Sequence, residues 1–515
     1  MGAWSHVVVV GLLLVASAGS LAAPDDSATS VGGLTARHQD IAVATAWASQ
    51  EPSLEGAVRV AQEILATKSG IPPGTPAAPD LAAPSLPSEA LAPLLERFGI
   101  VPDGTQQQQI DALDHLDQRA RVALARLLVA FDAYERAVAA NDTTATLLGQ
   151  GRLLEVGLEL ASLPSWLWDA GVLRLPPLLI LDVWEAGSVH AQDVALLLDV
   201  GGDDLYVNNA GGSGIDLPAP AGSLAVADRC AMVQGFGRGL THVGRAAAAF
   251  DLAGDDRYLP GKGCGVNGGG YRGAGLLFDA QGKDRYVAGA SGPCVKTDLL
   301  VGHIVATCGG NGGAYWGHGL LVDGGGSDRY DAHGGGTNGG AAYPQATGLL
   351  VDAWGNDRYD GGGVGVNGGA HYAAQGSLVD LRGSDTYLGL DGGVNGGGDG
   401  ASGTLIDAGG GNDTYVGRDE SVNGGAAAGG RRTIETVTLL PDFLNGRGLL
   451  LDDGGDDTYT ARSRGVNGGG VGAHGLLLDL GGGDDYSDRQ GGTGSDRTIW
   501  VKGTVGHQVD VSASP

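Results

Sequence analysis

One pattern recurs nine times in the second part of this chain, and it restricts the possible folds more than any other feature. An apolar run ends in Asp-x-x-Gly-x-Asp-x-Tyr. The copies begin at Asp199, Asp251, Asp279, Asp323, Asp352, Asp380, Asp407, Asp452 and Asp479, and the copy at Asp407 carries one extra Gly. Asn-Gly-Gly boxes lie between copies at Asn267, Asn311, Asn338, Asn367, Asn395, Asn423 and Asn467, and Gln234-Gly235 takes that place in the first interval. Successive first Asp residues are 52, 28, 44, 29, 28, 27, 45 and 27 apart. The unit is therefore 27–29 residues, interrupted by insertions at 207–233, at 287–310 and after Asn423. A fixed period with loops added at few places is the signature of a solenoid.

Each unit offers an apolar strand (LLLD, LLFD, LLVD), a Gly/Asp turn, a short strand around Tyr and the Asn-Gly-Gly corner. A β-propeller blade needs about 40–50 residues, more than this unit holds. Stacked coils place equivalent strands side by side about 4.8 Å apart, so the sheets are parallel. The expected fold is mainly β: a parallel β-helix (solenoid) of about nine 27–29-residue coils, preceded by a small helical domain and roughly 43 Å long. Composition changes where the repeat begins. Residues 191–515 hold 81 of the 96 Gly, together with 36 Asp and only two Glu, Glu420 and Glu435. Gly supplies positive φ, and the short Asp carboxylate bonds local backbone.

Identical positions in successive coils form columns. Nine of the 14 Tyr share one position, which predicts a packed aromatic column rather than a platform for stacking sugars. The Asn column is expected to satisfy corner backbone groups. The two Asp columns carry a penalty: carboxylates about 5 Å apart repel by roughly 3 kcal/mol per pair at an effective dielectric near 20. Turn N–H groups, basic neighbours or a cation could relieve it. Arg257, Arg285, Arg329 and Arg358 follow the second Asp in four consecutive units, whereas Thr386, Thr414 and Thr458 stand there in later ones. On this reading the arginines are local counter-charges, and the later coils need a cation more.

The turn boxes GGGNDTY (409–415), GGDDTY (454–459), GGGSDRY (324–330) and GGGDDY (481–486) resemble the Gly/Asp nonapeptide of haemolysin-type (RTX) calcium-binding repeats. The whole unit is similar to secreted bacterial parallel β-solenoid repeat proteins. The RTX resemblance implies Ca²⁺ held by Asp carboxylates and Gly carbonyls of successive turns. The implied ligands are Asp204, Asp256, Asp284, Asp328, Asp357, Asp385, Asp413, Asp457 and Asp484.

Ahead of the repeat, residues 4–22 (WSHVVVVGLLLVASAGSLA) form an apolar run ending in small residues, so 1–22 is expected to be a signal peptide. That predicts a secreted or cell-surface protein, not membrane-spanning after cleavage. Export makes Cys230, Cys264, Cys294 and Cys308 candidates for two disulfides. Cys294 and Cys308 bracket one insertion and would leave Cys230 with Cys264. Cys264 and Cys308 are the competing pair, because both lie three residues before their Asn. The spacing does not match a zinc site. Residues 35–190 are expected to be a helical module with a Pro/Ala-rich linker at 71–88 and one long amphipathic helix over 105–140. Apolar segments follow near 144–163 and 175–186. Such a module would cover the open end of the solenoid or bind a protein. The repeats occupy 191–490, and a C-terminal cap occupies 491–515.

A net charge of −28 argues against nucleic-acid binding, which needs a basic surface. No HExxH, nucleophile elbow, P-loop or dinucleotide fingerprint occurs, and His303, His318, His371 and His474 form no cluster in sequence. No catalytic residue is assigned. The expected function is structural or adhesive: a rod displaying loops to an extracellular protein or glycan, Ca-stabilised as the resemblance implies. The alternative is a carbohydrate-active enzyme on a β-helix, a polysaccharide lyase or hydrolase.

Overall fold

The computed structural model describes residues 52–70, 86–168, 171–183, 187–213 and 245–259, and then 266–510 with breaks, the longest at 289–309 and 428–446. Among the described residues the repeats form three sheets of thirteen, eleven and seven strands, each ordered coil by coil. Sheet one contains the apolar-Asp strands, sheet two the Tyr strands and sheet three the pairs after the corner. Their internal pairings are parallel and in register: Asp279 lies beside Asp323 and Asp323 beside Asp352, while Tyr286 lies beside Tyr330. The protein is thus mainly β, with long stacks of parallel strands and a few helices.

Sheet one is buried on both faces, so its strands read as continuous apolar runs. Residues two before the Asp, such as Leu277, Leu321 and Leu350, pack inward against the Tyr column. Residues one and three before it, such as Phe278, Leu276, Val322 and Leu320, join the core of the helical module. That module comprises α1 (Leu54–Lys68), α2 (Pro87–Phe98), α3 (Gly104–Leu113), α4 (Gln118–Ala139) and α5 (Thr143–Ala161). Gly157 of α5 lets Phe250 and Phe278 approach so closely that a Cβ there would meet both rings at 3.1–3.2 Å. Gln150 donates to the Gly275 carbonyl at 2.9 Å, which ties α5 to a sheet-one strand.

Several expectations are corrected. The module does not simply cover the open end; it lies along the outer face of sheet one, and α3 reaches the first strand of that sheet, where Gln106 donates to the Arg174 carbonyl at 3.3 Å. The expected helix over 105–140 is two helices. Asp117 caps α4 by accepting from the Arg119 N–H at 2.9 Å, which starts a new helix after the 114–117 break. The Pro/Ala-rich linker ends sooner than residue 88, because Pro87 and Ser88 begin α2, where a proline fits the first turn. Residues 71–85 lie outside the described residues.

Parallel strands of the solenoid also start before 191 and continue past 490. Leu179–Asp182 pairs in register with Leu196–Asp199, and Gly506–Asp510 pairs with the strand ending at Asp479. At each end an antiparallel strand, Leu173–Leu175 and Ile499–Val501, covers the edge that further strands would otherwise extend. Among the described residues no helix is long and apolar enough to cross a membrane. The segment 1–22 and all four cysteines, with both proposed pairings, lie outside the described residues.

Candidate functional site

Alternation along a strand decides where the repeated side chains go. On sheet two the Tyr points inward and its neighbours point outward. Tyr206, Tyr258, Tyr286, Tyr330, Tyr359, Tyr387, Tyr415, Tyr459 and Tyr486 are 0–1% exposed. Successive rings stack at 4.5–4.9 Å and within 10° of parallel. The column is internal packing, and no sugar can reach it.

The first Asp of each unit lies beside that column. At Asp199, Asp251, Asp323, Asp352, Asp380 and Asp407 its Oδ1 accepts from the N–H two residues on, as at Asp323 with Gly325 (2.9 Å) and Asp380 with Arg382 (3.1 Å). From Asp251 to Asp407 its Oδ2 meets two phenols, one from its own coil and one from the coil before. Tyr286 bridges Asp279 and Asp323 at 2.7 Å each, and Tyr330 bridges Asp323 and Asp352 at 2.7 and 2.6 Å.

The second Asp column contains every residue for which a calcium role is implied. Its Oδ1 accepts the backbone N–H of the second Asp one coil earlier, from Asp204 to Asp256 onward to Asp457 and Asp484, at 2.5–2.9 Å. Asp204 itself accepts from the Ser188 N–H. The Oδ2 atoms of Asp204, Asp256, Asp284, Asp328, Asp357, Asp385, Asp413 and Asp457 find no hydrogen-bond partner, although these residues are only 1–3% exposed. The turns are compact because Gly precedes this Asp: at Gly254 (φ +152°) a Cβ would lie 1.8 Å from the Gly202 carbonyl oxygen.

Burial without counter-charge raises carboxyl pKa values. Desolvation, followed by the charge of neighbouring first-column carboxylates, pushes Asp251 to about 7 and Asp407 to about 8, and holds Asp279 and Asp352 well above the carboxylate range. The same causes push Asp256 and Asp328 to about 11 and Asp413 to about 9. The arginines do not relieve this. Arg285, Arg329 and Arg358 point away from the axis and pair instead with Asp331 and Asp360, at 2.6–3.3 Å, on the outer face. The expected difference between Arg-bearing and Thr-bearing coils therefore loses its basis.

The Asn column forms a side-chain ladder. Asn267, Asn311, Asn338, Asn367 and Asn395 each donate Nδ2 to the Oδ1 of the next Asn at 2.9–3.0 Å, ending on Asn423. Asn267 takes a positive φ of 51° and Gly268 follows at 69°, a corner that Asn tolerates and Gly favours. In the first interval the corner is Ala210-Gly211 (φ 41° and 68°), and Gly268 donates to the Ala210 carbonyl. Gln234-Gly235, expected there, lies outside the described residues.

Sequence reasoning missed one group. His190 occupies the Tyr position of the strand before the first repeat, stacks on Tyr206 at 4.8 Å, and brings Nε2 to 2.7 Å from Asp199 Oδ2. Burial lowers its pKa. The signal was the LILD at 179–182, a strand-and-Asp box followed eight residues later by His instead of Tyr.

The implied Ca²⁺ can be tested against these atoms. Ca²⁺ takes six to eight oxygens at about 2.3–2.6 Å. The groups the columns bring together, such as Asp251, Asp256 and Asp279, place three carboxylate oxygens within 4.8 Å of one another, all buried. First-column Oδ2 atoms are engaged by phenols and second-column Oδ1 atoms by backbone N–H groups. What remains is one oxygen per coil, with a second at Asp279 and Asp452. An oxygen that accepts one hydrogen bond keeps a lone pair, and the turn carbonyls of Gly202, Gly254, Gly282 and Gly326 lie beside the second-column carboxylates, so these carboxylates and carbonyls are the groups that would hold Ca²⁺. In comparisons with known proteins, the chain matches no family model, no curated protein and no solved structure.

Proposed function

We propose that this chain is an exported structural or adhesive β-solenoid that presents its inserted segments to an extracellular protein or glycan. The observation that supports this reading most is where the repeat directs its chemistry. The Asp, Tyr and Asn columns point into the stack and bond to one another, so a partner meets the outer faces and the insertions. An in-register parallel stack is a stiff scaffold, and loops on such scaffolds commonly carry recognition.

The test compares the full chain with a variant in which 214–244 and 289–309 are each replaced by a short Gly/Ser linker, with Cys264→Ser. Both are applied to glycan arrays and to immobilised extracellular-matrix protein. The variant is expected to keep its circular-dichroism spectrum and to lose binding at least tenfold. Equal binding by both proteins would sink the loop-display reading. Release of sugar products from a polysaccharide would replace it with the enzyme.

A further inference from the structure

We infer that the first Asp column is a column of carboxylic acids, joined with the Tyr hydroxyls into one proton-filled chain along the inside of the solenoid. Tyr206, Tyr258, Tyr286, Tyr330, Tyr359 and Tyr387 each bridge two first-column Oδ2 atoms, giving twelve O···O contacts of 2.5–3.3 Å. Six phenols bring six protons. With every Asp ionised, the other six contacts would press a phenol lone pair against a buried anionic oxygen at hydrogen-bond distance. One further proton per bridged coil removes the conflict. Each Asp then donates from Oδ2 to one phenol and accepts from the other, and all contacts run head to tail. The chain continues from His190 at Asp199 to Tyr415 at Asp407.

A proton meets this need with one donor and one acceptor and no coordination shell. Among the described residues the groups facing the column offer no other neutralising charge. Sheet two presents the phenols, the turns present the second Asp column, and sheet one presents the column's own members. At the first end stand His190 and Arg174, whose guanidinium lies 3.9 Å from Asp182. The outer arginines face away, and the helices cover the opposite side of sheet one. The raised carboxyl pKa values agree with this arrangement. Neither the chain nor its test depends on the proposed adhesive role.

In the unfolded chain the same Asp residues are ionised near neutrality. Unfolding the full chain with guanidinium at pH 7 in weak buffer should therefore release about six protons or more, read with a pH indicator. Infrared spectra of the folded protein in D₂O should show a carboxylic-acid C=O band that disappears on unfolding. Asp323→Asn should lower the proton release by about one, whereas Asp331→Asn, on the outer face, should leave it unchanged. Should Asp323→Asn fail to fold, the release and the infrared band of the unaltered protein still decide. Release of less than one proton, absence of the acid band, or about one tightly bound divalent cation per coil by elemental analysis would each overturn the inference.

Discussion

Arg285 and Asp284 are neighbours in sequence and occupy opposite electrostatic settings. The arginine lies about half exposed on the outer face of sheet two and pairs with Asp331 across one coil step. The aspartate faces the axis, 3% exposed, one oxygen accepting the Asp256 N–H of the preceding turn and the other without a partner. The same contrast repeats at Arg329 with Asp328 and at Arg358 with Asp357. Charge balance in a solenoid is therefore settled face by face and not residue by residue. An excess of cations on the outside does little for anions inside, because strand parity keeps them apart. The outer face can stay ionised at the modest value of surface pairs. The inner face must shed charge.

The largest expected effect tests that contrast with pH. A carboxyl whose pKa is raised on folding contributes stability that is fully present below its unfolded value near 3.9 and is lost as pH rises through its folded value. Asp251 and Asp407 have folded values of about 7 and about 8, so their contribution fades between roughly pH 4 and pH 8. Each extra bound proton weakens stability by about 1.4 kcal/mol per pH unit in that window. Several such groups together approach the whole stability of an ordinary domain, about 5–15 kcal/mol. The melting temperature should therefore fall steeply from pH 5 to pH 9. Repeating the melts in about 1 M salt, where the Debye length is about 3 Å, separates this from the self-repulsion of a chain with net charge −28. A slope that high salt abolishes would assign the effect to the surface, and the inner-outer distinction would fail.

The next effect concerns the packing of the inner face. Tyr330 is fully buried between Tyr286 and Tyr359, at 4.9 and 4.7 Å, and bridges Asp323 and Asp352. Tyr330→Ala leaves a cavity and should lower stability by about 3–5 kcal/mol in urea titration. Tyr330→Phe keeps the stack and removes the bridge, with an expected loss of about 1–3 kcal/mol from oxygens left without a partner. No loss in Tyr330→Phe beside a full loss in Tyr330→Ala would mean that the hydroxyl contributes nothing and that the column is held by ring packing alone.

Much of this was legible in the sequence, and the failures share a cause. The period, two of the three strand types, the Tyr stack and the Asn corner follow from counting repeats, whereas the two-residue strands after the corner carry no apolar run to mark them. The misassignment of Arg257, Arg285, Arg329 and Arg358 came from reading proximity along the chain as proximity in space. Asp-x-Tyr already implied that the intervening residue points the other way. The placement of the helical module was encoded in the outward positions of sheet one, where Phe250, Phe278 and Leu320 give way to Ser377 and Thr404 in later coils. Two features had no regular signal. The corner at Ala210 uses a residue that rarely takes positive φ, and His190 replaces the Tyr by which a unit is recognised. The proton requirement was out of reach, since it depends on each phenol meeting two carboxylates at once.

The smallest expected effect is on the outer face. Arg329 pairs with Asp331 at 2.6 Å and with Asp360 at 3.3 Å while remaining about half exposed. Later coils carry Thr at the equivalent position, in register with Arg358 at Thr386. The stack therefore accepts either residue without a change in strand pairing. Arg329→Thr removes a partner from Asp331, which is fully buried but keeps Arg285 at 2.9 Å. A loss of at most about 1 kcal/mol is expected, smaller still in high salt. The melting temperature of the variant plotted against pH should run parallel to that of the unaltered protein, because no axial carboxyl loses a neighbour. A variant that steepens the pH dependence would show that the outer arginine does sense the inner columns, and the two faces could no longer be treated as electrically separate.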